Sequence, residues 1–288
     1  MIAENELVSV KVFLKVIWMN FQDKMRERLS EYKKKKFPDV QDGLYQGRPY
    51  GHIFPKGEQN RNLIEYYHDD ILKNPHYRKE DLHIYFNHLN STEALSFNFF
   101  FPLLIEKKLE LLTSRLTLEE KAVNYETAVF EKPGIDFEHF SDSIFDFYFE
   151  TAAGKKICFR TKYTETGFGS AEDDVLHSEL FEYVYKNYLS VITEKYRKKT
   201  EFLQRFQICR TLLHLDQNTI LVIIYPRENH KIREEAEKAA NEILVPELRS
   251  CLTLFTWEEL TEYILKNSVS PKKFQNQYKE FAEKYFPE

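Results

Sequence analysis

From Glu4 to about Lys34, the residues Leu7, Val8, Val10, Val12, Phe13, Leu14, Val16, Ile17, Phe21, Met25 and Leu29 recur among charges, as on a long helix with one broad buried face. Residues 37–60 hold Pro38, Gly43, Gly47, Pro49, Gly51, Pro55 and Gly57 and read as an irregular loop, followed by an expected helix over 61–74. Asn90-Ser91-Thr92-Glu93 supplies an N-cap and an acid three positions on, so a helix should run from there through Ala94, Phe97 and Phe100. Pro102 should kink or divide it, with more helix over 103–121. The pattern then changes to short aromatic and β-branched runs, Thr127 to Phe130, Ile144 to Phe149 and Ile157 to Tyr163, which predict three strands. After Gly167-Phe168-Gly169, helices are expected over 171–194 and 197–214, a strand over Ile220 to Ile224, and a charged helix over 228–243. A strand from Leu252 to Phe255, a helix opened by Thr256 with Glu259 as its capping-box acid, and a helix near 271–285 complete the reading. The order α, βββ, αα, β, α defines an α/β protein.

Composition narrows this picture. The chain has 288 residues, 42% apolar and 15% aromatic, enough to cover a central sheet, and no Pro/Gly/Ser-rich linker divides it. One domain is therefore expected over 1–288: a helical elaboration over 1–86, a core over 87–225 and an α/β extension over 226–288. Cys158, Cys209 and Cys251 form neither a CxxC pair nor a zinc ladder, which fits structural thiols in a reducing compartment. The start MIAENELVSV lacks a basic, apolar leader and no apolar run is long enough to span a bilayer, so a cytoplasmic protein without membrane association is expected. Net charge is −5, so any nucleic-acid site must be local. The basic run Lys33 to Lys36 suits a helix C-terminus.

The chemistry concentrates in one hairpin. On the strand Phe145-Asp146-Phe147-Tyr148-Phe149-Glu150, alternation sets Asp146, Tyr148 and Glu150 on one face and Phe145, Phe147 and Phe149 on the other. On its partner, Ile157, Phe159, Thr161 and Tyr163 share one face and Cys158, Arg160, Lys162 and Thr164 the other. Folding about Ala153-Gly154 brings Asp146 beside Arg160 or Lys162. Spacing alone leaves a plain cross-strand ion pair open as the reading of that cluster.

Asp146 followed after thirteen residues by Arg160-Thr161-Lys162, in the order αβββαβ, resembles the PD-(D/E)xK nuclease superfamily. Lys162-Tyr163-Thr164-Glu165 before Phe168-Gly169 is similar to a bacterial branch in which an ExKYTE run precedes a Phe-Gly pair. Asn90-Ser91-Thr92-Glu93-Ala94 with Phe97-Asn98, and Phe206-Gln207-Ile208-Cys209-Arg210, agree with it, so the resemblance covers about 87–225. It implies a restriction endonuclease-like core with a central mixed sheet and added terminal helices. It further implies hydrolysis of DNA phosphodiester bonds with Mg²⁺ or Mn²⁺, in a defence or restriction role, and leaves a homodimer open. By resemblance Asp146 is a metal ligand, Lys162 the catalytic lysine, Glu131 an upstream acid and metal ligand, and Gln207 a further member of the site. The sequence departs from the pattern at Arg160, where an acid is expected; a guanidinium cannot ligate a metal and pairs with Asp146 instead. Glu150, Glu165, Glu179 and Glu182 are the acids that could replace it.

Nine histidines show no metal-ligand spacing, and no phosphate loop, dinucleotide fingerprint or GxSxG elbow occurs. Tyr45, Tyr50, Tyr66 and Tyr67 are read first as core or loop-pinning residues, with base stacking beside Arg48 and Lys56 left open. Two functions follow: a metal-dependent DNA endonuclease with a relocated acid, or a catalytically inactive nuclease-fold module that binds nucleic acid or a protein partner.

Overall fold

The computed structural model describes residues 20–74, 77, 82–134, 145–269 and 271–286. Positions 4–19 of the expected N-terminal helix, and Ile144, lie outside them. Helix α1 (Phe21–Lys36) is capped by Asn20, whose side chain accepts from Asp23 N, and ends in Lys33–Lys36, where cations offset the C-terminal dipole. A hairpin of β1 (Gly43–Tyr45) and β2 (Arg48–Tyr50) follows, then the short helix α2 (His68–Lys73). Helix α3 (Thr92–Ile105) starts at Ser91, whose hydroxyl accepts from Ala94 N, and α4 (Glu110–Thr113) is a single turn. Pro102 neither stops nor divides α3, which continues three residues past it, and most of the helix expected over 103–121 is irregular.

A five-stranded sheet lies at the centre, ordered β3 (Val123–Lys132), β4 (Phe145–Thr151), β5 (Lys156–Thr161), β6 (Thr219–Tyr225) and β7 (Leu252–Thr256). The first three strands pair antiparallel and the last two join in parallel, so the sheet is mixed, as expected for this class. Parallel neighbours need long crossovers. The first is made by α5 (Val175–Tyr183), α6 (Lys199–Leu203) and α7 (Phe206–Leu212), the second by α8 (His230–Lys238). Every residue of β6 is buried, which explains its unbroken apolar run. The chain ends with α9 (Trp257–Asn267), opened by the Thr256/Glu259 capping box, and α10 (Lys272–Tyr285).

The two sheet faces carry separate cores. One joins Phe147, Phe149, Ile157, Phe159 and Tyr163 to α3, α9 and α10: Phe100 stacks on Phe147 at 4.6 Å, and Phe99 meets Trp257 at 5.0 Å. The other joins Tyr148, Cys158, Leu221 and Ile223 to α5–α8. Phe145 departs from the alternation. It packs in the second core, edge-on to His214 at 5.5 Å, where β4 is no longer paired with β5. All three cysteines are free and buried, and burial pushes the Cys209 thiol up to about 12, which makes it inert. Among the described residues no helix is long and apolar enough to cross a membrane.

Candidate functional site

The irregularity at residues 145–147 builds the site. The β4–β5 ladder pairs Phe147 with Phe159 and goes no further toward Asp146. There the Asp146 carboxylate takes over from the backbone: its Oδ2 accepts from Thr161 N at 2.6 Å. The same register sets Arg160 opposite Asp146, and Arg160 Nη1 lies 3.7 Å from Oδ2, so of the two cations expected beside Asp146 it is Arg160 that makes the ion pair. On the other flank, β3 pairs Phe130 with Phe147 and Lys132 with Phe145, which sets Glu131 opposite Asp146. Glu131 has a left-handed backbone, φ 50°, a conformation that costs a non-glycine residue of order 1–3 kcal/mol and is concentrated at functional sites. Across three strands the sequence thus sets out a row of acid, acid and guanidinium.

Glu93 joins this row from α3. Its place in the sequence is that of a helix-start acid; in the structure Ser91 does the capping and the Glu93 side chain accepts from His83 N at 3.0 Å. Burial, then the neighbouring Glu131, and further Asp146 push the Glu93 carboxyl up to about 8. The signal that could have found it is local: the ten residues from Ala94 to Leu103 are all buried, so a carboxylate at their threshold is drawn into the core's edge.

Lys162 follows the end of β5. It is buried, with its ammonium over the Phe168 ring at 5.3 Å, and its carbonyl accepts from Trp257 Nε1 at 2.9 Å. Burial lowers its pKa, opposed first by Glu165; Arg160 lowers it further, while Asp146 and Glu235 raise it. The KYTE and Phe-Gly segments thereby acquire physical roles. Glu165 accepts from Tyr163 N at 2.6 Å and from Thr92 Oγ1 at 2.8 Å, and Asn90 donates to Thr164 Oγ1 at 2.9 Å, tying this turn to the start of α3. Glu235 accepts from Phe168 N at 2.8 Å, and a Cβ on Gly167 would lie 2.7 Å from that carboxylate, so glycine permits the contact.

Not every candidate meets Asp146. Gln207 N donates to Gly169 O at 3.2 Å, which places Gln207 against the loop after β5. Glu150 stands near the far end of the hairpin and accepts from Tyr148 Oη at 2.6 Å. Glu179 is exposed, and Glu182 pairs with Lys186 on the surface of α5.

Chemistry and charge in the row suit a hard divalent cation. The carboxylates of Glu93, Glu131 and Asp146, when ionised, stand against the one guanidinium of Arg160, while Lys162 is countered by Glu165 and Glu235. The row itself is left with two negative charges, and the surroundings of Lys162 with one. Among the described residues no three acid, histidine or cysteine groups already stand in ligating geometry.

A mixed five-stranded sheet wrapped by helices, with this row at its open end, is an α/β nuclease-like fold. A family model described as "Restriction Endonuclease associating with ARP" (REase-ARP) matches residues 19–286, and the chain belongs to that family. No curated protein and no solved structure matches it.

Proposed function

We propose that the chain hydrolyses DNA phosphodiester bonds through a PD-(D/E)xK-type site in which Glu93 supplies the acid that Arg160 displaces. The observation that carries this reading is the opening of the β4–β5 ladder at Asp146, with Glu131 and Arg160 across from it and Glu93 in the same electrostatic field. Asp146, Glu131 and Glu93 would hold Mg²⁺ or Mn²⁺, which when bound acidifies water and offsets phosphate charge. The Thr161 N–H holds one Asp146 oxygen, and the carboxylate would serve as a ligand through the other. Lys162, held beneath Phe168 in a poorly solvated position, orients the attacking water by hydrogen bonding. Arg160 binds a non-bridging phosphate oxygen, and its planar fork holds the strand in line. Gln207 supports the loop that carries Phe168 and so acts as a positioning residue. The biological setting in this reading is defence or restriction, in association with ARP, as the family description words it.

Cleavage of plasmid and single-stranded DNA with Mg²⁺ or Mn²⁺, against EDTA, tests it. Cleavage is expected to vanish in EDTA and to fall at least a hundredfold in Asp146→Ala and Lys162→Ala. No cleavage by the native protein, with activity gained in Arg160→Glu, would instead establish the inactive binding module, in which the Arg160–Asp146 contact serves as a phosphate or structural site.

A further inference from the structure

A second chemically distinctive surface adjoins the acid row. The β1–β2 hairpin and the segment from Leu82 to His88 enclose a groove of about 440 Å³, within the range of small-ligand sites. Its wall carries Tyr45, Tyr85 and His88, with Tyr45 meeting Tyr85 at 5.7 Å and His88 at 5.6 Å; Tyr50 and His52 extend the cluster beside it, at 6.2 Å from Tyr45 and 6.1 Å from His88. These four contacts are edge-on, with interplanar angles of 67–88°, and Tyr85 also meets His83 at 5.2 Å and His88 at 4.9 Å, so the rings brace one another. Tyr50 and Tyr85 are 37% and 40% exposed, which separates them from packed core tyrosines.

Three observations choose the occupant. The groove is tied to the acid row by one contact, since the backbone N–H of His83, on its wall, donates to Glu93 at 3.0 Å. Burial lowers the pKa of His88 on the wall, and lowers that of His52 beside it to about 4, with Arg26 adding to both shifts, which favours their neutral forms. Cations sit at the margin, Lys56 in the wall, Arg48 paired in register with Tyr45, and Arg26 close enough to act on both imidazoles. Neutral rings flanked by cations suit a stacked base whose phosphates run outside it.

We propose that this groove is a base-stacking platform for an unpaired nucleotide of the DNA strand whose phosphate reaches Asp146. The proposal rests on the nuclease reading above and names a substrate feature, a strand with at least one unstacked base near the scissile bond. Tyr85 and Tyr50 supply the stacking faces, and Lys56 and Arg48 meet the flanking phosphates.

The test is fluorescence anisotropy of the full chain with a labelled single-stranded oligodeoxynucleotide and its duplex, in EDTA so that binding is read apart from hydrolysis. Tyr85→Ala and Tyr50→Ala are each expected to weaken single-strand binding about tenfold, with Tyr85→Phe unchanged and duplex binding little altered. Circular dichroism checks folding, and the hairpin residue Tyr50 keeps the test decisive if Tyr85→Ala unfolds. Single-strand affinity unchanged in both alanine variants overturns the platform, as does an equal loss in Tyr85→Phe, and so does a native protein that binds no DNA. Ring-dependent binding without metal-dependent cleavage supports the platform and removes the nuclease reading; cleavage with ring-independent binding does the reverse.

Discussion

At Asp146 a side chain takes over the work of a backbone ladder, and the rest of the site follows from that exchange. An antiparallel pair exposes no side chain to its own hydrogen bonds; only where the strands part can a carboxylate reach the Thr161 N–H and still face a ligand. Like charges set directly opposite on a sheet are destabilising, and Glu131 opposite Asp146 is such a pair, offset in part by Arg160. Glu93 records the same crowding in its raised pKa, about 8. For a carboxyl raised on folding, the native state binds the extra proton, so its stabilising contribution is complete below the ordinary value of 4.5 and is lost as pH rises through about 8. Urea midpoints measured across pH 5–8 without divalent cations should therefore fall toward higher pH in the native protein and fall less in Glu93→Gln. Equal slopes would show that Glu93 does not feel its neighbours. Lys284, fully buried and lowered to about 7, acts oppositely above that pH, which is why the comparison with Glu93→Gln is the informative one.

At the scale of elements, α3 and the hairpin β4–β5 were legible because each carries a local signal: a Ser/Thr cap before a buried apolar run, and strict alternation about a Gly turn. The capping box at Thr256 and Glu259 was legible for the same reason and is present with both of its hydrogen bonds. What escaped sequence reading depends on tertiary packing. Pro102 stays inside α3 because that helix is buried from Ala94 to Leu103, and the Asn98 carbonyl that loses its backbone bond accepts from Gln277 instead. Phe145 changes face because the ladder is interrupted beside it, which no periodicity encodes. Glu93 escaped because its significance lies in Glu131 and Asp146, contributed by two different strands. Since α3 holds Glu93 to the sheet through Phe100, fully buried against Phe147 and Phe159, Phe100→Ala should cost about 3–5 kcal/mol by denaturant titration. A loss under 1 kcal/mol would mean that α3 is not anchored by this stack.

For the molecule as a whole, the sheet divides labour. One face, with α3, α9 and α10, fixes the acids; the other, with α5–α8, seats the loop that covers Lys162. With a net charge of −5, the proposed DNA binding would draw on local cations such as Arg160 and those around the tyrosine groove, and is expected to weaken steeply with salt. The measurement that bears most directly on the account is Mn²⁺ titration by calorimetry, without DNA, of the native protein beside Asp146→Asn and Glu93→Gln. The account predicts one Mn²⁺ bound per native chain, with affinity reduced at least tenfold in each variant. An absence of binding by the native protein, or binding that both variants retain unchanged, would contradict it.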